Sequence, residues 1–140
     1  MKQRRQQKRA AAVPENWWRR FFVPIIGEVM LAPKAGQAER EVTQIIRRSK
    51  AKPPRAVLDL ACGLGRHSLV FAARGFEVTG LDYSKPFLQE AQTNARAAGL
   101  KIRFVRGDMR NLRPHFAANT FDLAVCLYTS FGYFARRAMT

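Results

Sequence analysis

Three aspartates stand where successive apolar runs of this chain give out: Asp59 in Val57-Leu58-Asp59-Leu60, Asp82 after Val78 to Leu81, and Asp108 after Phe104 to Gly107. Between the first and second lies the turn Ala61-Cys62-Gly63-Leu64-Gly65, which leads into Arg66-His67-Ser68. Glycines in such a turn permit backbone conformations other residues resist, and they bring a ligand close to main-chain N–H groups at a helix start, where anions are favoured. A carboxylate at the next strand end can accept hydrogen bonds from both hydroxyls of a ribose. A third, at Asp108, can approach the purine side of the same crevice. Together these residues describe a nucleoside-sized site fed by three strand ends.

The elements that must hold those residues alternate. Residues 34–50 place Ala38, Val42, Ile45 and Ile46 on one helical face and give out before Pro53 and Pro54. The pattern then predicts a strand over 56–61, a helix over 66–74 stopped by Gly75, and a strand over 77–81. A second helix of the core starts at Ser84 as N-cap with Pro86 in its first turn and ends at Gly99. Strands over 101–106 and 121–127 follow, separated by a polar loop. This order predicts an α/β fold: a Rossmann-like, doubly wound, mostly parallel sheet of which about four strands are legible. The expected division is a basic, aromatic arm over 1–33 and the α/β unit over 34–140.

The 140 residues carry 25 Lys and Arg against 10 Asp and Glu, a formal charge of +15. Hydrophobic residues make up 47%, enough to fill a core, which excludes a disordered or collagen-like chain. No run approaches the roughly 18 apolar residues of a membrane span. Cys62 and Cys126 lack the spacing of a disulfide framework or a zinc site, so no metal is expected and a cytoplasmic location is. Lys2, Arg4, Arg5, Lys8, Arg9, Arg19 and Arg20 oppose only Glu15 at the start, with no apolar stretch of a secretory signal behind them. A solvated chain end is the plainer account of this arm; phosphate binding through counterion release is the alternative. Trp17, Trp18, Phe21, Phe22, Ile25 and Ile26 form an apolar face interrupted by Pro24, suited to packing on the core or to a lid.

Taken in order, Asp59-Leu60-Ala61-Cys62-Gly63-Leu64-Gly65, Leu81-Asp82-Tyr83-Ser84, Gly107-Asp108-Met109 and Phe121-Asp122-Leu123 resemble the class I S-adenosylmethionine-dependent methyltransferases. The resemblance covers about residues 56–134. It implies S-adenosylmethionine as cofactor, with Asp59 supporting its methionyl end and Ala61, Cys62, Gly63 and Gly65 approaching it as the turn. It further implies Asp82 and Tyr83 at the ribose, and Asp108 and Met109 beside the adenine. A dinucleotide-binding Rossmann domain is the rival, but its fingerprint wants a third glycine where Ser68 stands.

The donor is better specified than the acceptor. Tyr128-Thr129-Ser130-Phe131-Gly132-Tyr133-Phe134 follows the fourth strand, where base-amino methyltransferases place an Asn or Asp, two prolines and an aromatic residue. Its different chemistry favours a small-molecule acceptor over nucleic acid, with RNA second. No catalytic residue is assigned: Cys62 reads as a buried packing residue and His67 as a first-turn helix residue, either oriented by hydrogen bonds or partly exposed. The resemblance also implies a larger sheet than these four strands. The expectation is therefore either a chain shortened at its carboxyl end or one that recruits a partner to cover its open sheet edge, with a non-catalytic cofactor-binding remnant or interaction module as the alternative function.

Overall fold

The computed structural model describes residues 36–127. The arm, its tryptophans and the Tyr128 to Phe134 segment lie outside the described residues. Within them the order is α1 (Gln37–Ser49), β1 (Ala56–Leu60), α2 (Arg66–Ala73), β2 (Glu77–Asp82), α3 (Lys85–Ala97), β3 (Arg103–Arg106) and β4 (Leu123–Cys126). The four strands form one sheet in the order β3-β2-β1-β4. Every neighbouring pair is parallel. The α/β class and the Rossmann-like arrangement are as the sequence predicts.

Parallel strands need crossovers, and α2 and α3 supply them for β1 to β2 and β2 to β3. Strand register puts Val57, Asp59, Val78, Gly80, Phe104 and Val125 on one sheet face. All three helices pack on that face: Val42 of α1, Phe71 of α2 and Ala95 of α3 join Val57, Val78 and Val125 in one apolar cluster. Phe71 and Phe76 meet edge to face at 5.7 Å between centroids, the geometry favoured by ring quadrupoles.

Element boundaries depart from the periodicity where single residues intervene. Helix α1 starts at Gln37 rather than Lys34 because Gly36 is left-handed at φ 71°. Strand β1 stops one residue early, as Ala61 turns to φ 53°. β2 runs one residue further, to Asp82. β3 begins only at Arg103, and Ile102 before it is buried in the apolar cluster. β4 is shorter than the apolar run over 121–127, because Asp122 spends its groups on the neighbouring strand start: its carboxylate accepts from Ala56 N–H at 2.8 Å, and its own N–H donates to Ala56 C=O at 2.9 Å. The caps at Ser84, Gly75 and Gly99 fall as expected, with the Ser84 hydroxyl accepting from Phe87 N–H at 3.4 Å and the two glycines at φ 91° and 68°.

Candidate active site

β1 and β2 deliver Asp59 and Asp82 to adjacent strands at the carboxyl edge of the sheet, and the turn between β1 and α2 passes beside both. That turn is built from left-handed residues: Ala61 at φ 53°, Gly63 at 57° and Gly65 at 79°. Gly65 is required twice over, since a Cβ there would stand 3.1 Å from the Ala91 methyl and 3.3 Å from the Phe104 ring. The turn is pinned to the strands by Cys62 N–H on Leu81 C=O at 3.0 Å and by Gly63 N–H on Asp82 Oδ2 at 2.9 Å. Gly65 N–H closes back on Cys62 C=O at 3.0 Å. These N–H groups are therefore committed to shaping the turn. The helix start that follows, at α2, carries no side-chain cap.

Asp59 is only 2% exposed. Its Oδ2 accepts from the Ser68 hydroxyl at 2.7 Å, a contact between β1 and the first turn of α2. Burial pushes its carboxyl from 3.8 up to about 7, against the lowering effect of the Ser68 bond, and the nearby Asp82 charge adds to the rise. Asp82 is also raised by burial, opposed by N–H bonds from Ser84 and Gly63. Its two oxygens are held separately, Oδ1 by Ser84 N–H at 2.8 Å and Oδ2 by Gly63 N–H at 2.9 Å. No Lys or Arg forms a salt bridge with either carboxylate among the described residues. Two nearby carboxyls, one buried and one half-buried, without a basic partner are costly, and a cationic ligand would offset that cost.

The remaining expected residues line the same edge with different fates. Tyr83 follows Asp82 directly, its carbonyl accepting from Arg106 Nε at 3.1 Å. Gly107 N–H bonds Asp82 C=O at 3.0 Å, so the Asp108-Met109 segment begins beside the end of β2. The Asp108 carboxylate is taken up by Arg110, whose Nε lies 2.9 and 3.0 Å from its two oxygens. Cys62 is buried, its thiol pushed well up by burial and by the two aspartates, which leaves it a neutral packing group. A Cβ on Gly80 would come within 2.9 Å of its sulfur. His67 lies in the first turn of α2, 5% exposed, with Nε2 at 2.7 Å from Glu41 Oε2 of α1. Burial lowers its pKa despite the pull of Glu41, so the ring is neutral at pH 7 and donates from Nε2.

Ser68, Glu41, Arg106 and Arg110 are the polar groups that residue-by-residue reading missed. Ser68 was visible only as the place where a third glycine was lacking; its spacing from Asp59 carries no helical or strand period. Glu41 lay on an amphipathic helix among solvated charges.

Residues 57–140 match the model of a methyltransferase domain family. A glycine/sarcosine N-methyltransferase of Parasynechococcus marenigrum is 37% identical over 95 residues, 68% of this chain and 33% of that protein. A demethylmenaquinone methyltransferase of Thermus thermophilus is 40% identical over 86 residues, 60% of this chain and 38% of that one. The chain thus spans about a third of the length of these relatives. Among solved structures, an S-adenosylmethionine-dependent methyltransferase from Clostridium acetobutylicum superposes with a TM-score of 0.57 at 25% identity, over 73% of this chain and 40% of that one. No helix among the described residues is long and apolar enough to cross a membrane. The ordered motifs, the all-parallel sheet and the matched family model together place this chain in the class I S-adenosylmethionine-dependent methyltransferase family.

Proposed function

We propose that the chain binds S-adenosylmethionine at the carboxyl edge of β1 and β2 and serves methyl transfer to a small-molecule acceptor. The observation that carries this reading is the buried Asp59 with the half-buried Asp82 near it, neither with a salt-bridge partner among the described residues, beside a left-handed turn that opens into an uncapped helix. The residues fit the cofactor's chemistry: its ammonium and sulfonium suit two carboxylates, its carboxylate suits a helix N-terminus, and its ribose hydroxyls suit Asp82. When bound, that cofactor would supply a methyl carbon on a positively charged sulfur, open to in-line attack by the acceptor nucleophile with the neutral thioether as leaving group.

For such a displacement the chain's task is positioning rather than acid or base chemistry. Ser68 fixes the Asp59 carboxylate, and the N–H groups of Gly63 and Ser84 fix that of Asp82. Asp108 and Met109, after β3, would meet the purine, and Tyr83 the nucleoside beside Asp82. The Arg110 contacts hold the Asp108 carboxylate in one orientation. We read residues 1–33 as a separate basic, aromatic arm on their sequence alone, and the outer edge of β4 is where a further segment or partner would pair.

A small-molecule acceptor rests on the Tyr128 to Phe134 sequence and agrees with relatives named for glycine, sarcosine and demethylmenaquinone. A second reading, RNA methylation, is favoured by the +15 charge and by a 38% identical relative named as an RNA methyltransferase. Calorimetry with S-adenosylmethionine, S-adenosylhomocysteine and NAD tests the donor. Heat with the first two, lost in Asp82→Ala, is expected; heat with NAD alone would overturn the proposal. A radiolabelled methyl-transfer assay against fractionated small molecules and RNA then separates the acceptors, and binding without any labelled product would leave a cofactor-binding remnant.

A further inference from the structure

Arg106 closes β3, and the register sets its Cα against that of Asp82 on β2. Its Nε donates to the Tyr83 carbonyl at 3.1 Å, and its guanidinium carbon lies 5.6 Å from the centre of the Tyr83 ring. The Tyr83 carbonyl belongs to the same peptide unit as the Ser84 N–H, and that N–H donates to Asp82 Oδ1 at 2.8 Å. In a trans peptide these two groups point in opposite directions from one conjugated plane. A guanidinium on the oxygen end therefore withdraws charge and makes the N–H end a stronger donor. The connection runs from Arg106, through one peptide, to the carboxylate.

We propose that Arg106 is a positioning residue for the nucleoside end of the pocket, acting on the Asp82 carboxylate through the Tyr83–Ser84 peptide. It orients one carboxylate oxygen and favours its ionised form, leaving the remaining lone pairs for a diol. The proposal rests on the reading of Asp82 as the ribose acceptor. Asp59 from β1 and Cys62 from the turn lie within electrostatic reach of that carboxylate, and Tyr83 and Lys85, at the start of α3, are the ionisable groups nearest it in sequence. Asp59, when ionised, opposes a second negative charge beside it, so a cation acting through a rigid peptide has a definite effect to counter. A charge on an edge strand also discourages edge-to-edge pairing. That role would need neither the Tyr83 carbonyl nor the ring.

The test compares Arg106→Ala, Arg106→Gln and Arg106→Lys with the parent chain in two measurements. Carboxyl carbon NMR follows the Asp82 titration without ligand, and calorimetry measures S-adenosylhomocysteine binding. The alanine variant is expected to raise the Asp82 midpoint and to weaken binding by roughly 5- to 10-fold, the size of one charge-assisted contact. Lysine, which keeps a charge and a donor, should recover most of both effects; glutamine, a neutral donor, should fall between. An unchanged Asp82 midpoint in Arg106→Ala overturns the proposal. So does a lysine variant as impaired as alanine, because that outcome assigns the loss to side-chain shape. A parent chain that does not bind S-adenosylhomocysteine, while its Asp82 midpoint still follows Arg106, refutes the proposed function and supports the peptide-mediated coupling.

Discussion

Replacing Asp59 by asparagine keeps an oxygen to accept from the Ser68 hydroxyl and removes the buried charge. Folding holds the Asp59 proton far more tightly than the unfolded chain does, with a carboxyl near 7 against an unperturbed 3.8. Between those two values the native state carries a proton that the unfolded state has shed, so native stability falls as pH rises and levels off above 7. At about 1.36 kcal/mol per pH unit the full loss comes to about 4 kcal/mol. Over the accessible window from about pH 5 to about pH 8 the parent chain should lose about 2.5 kcal/mol through this group alone. The amide variant has no such proton to lose. Urea unfolding of both proteins at several pH values, without ligand, should show the Asp59→Asn variant gaining on the parent as pH rises, with midpoints diverging and slopes unchanged. A stability difference that stays constant across that window would refute the reasoning, since it would mean that the Asp59 carboxyl ionises in the folded chain as it does in water.

Other perturbations probe the turn and its supports. Ala61→Gly relieves a left-handed alanine at φ 53°, and after the extra backbone entropy of glycine should gain about 0.5–1 kcal/mol, read as a thermal midpoint a few degrees higher. Gly80→Ala puts a methyl 2.8 Å from the Phe104 ring and 2.9 Å from the Cys62 sulfur, for an expected loss of about 1–3 kcal/mol in urea unfolding. A Cys62→Ala background should return part of that loss. Glu41→Ala removes the 2.7 Å acceptor of a buried His67 and should cost about 1–2 kcal/mol, whereas Glu41→Gln, which still offers an oxygen to the neutral ring, should cost less. Amide exchange in α1 would report the loosening of its tie to α2.

The chain itself determined the order of elements and pointed to the candidate site. Apolar runs broken by Gly, Pro and Ser mark strands and helices through purely local preferences, which is why the caps at Ser84, Gly75 and Gly99 were legible. Asp59, Asp82 and Asp108 were legible as well, because each ends or interrupts an apolar run. Tertiary structure decided what those aspartates experience. Strand pairing set Asp59 against Gly80, two residues before Asp82 on the same face, and burial then raised both carboxyls; neither effect has a signature in linear spacing. It also decided which polar groups support them. Ser68 reaches Asp59 across a strand and a turn, Glu41 reaches His67 from another helix, and Arg106 reaches Tyr83 from another strand. Local propensity acts over a few residues, whereas these contacts join elements that only the folded sheet makes neighbours.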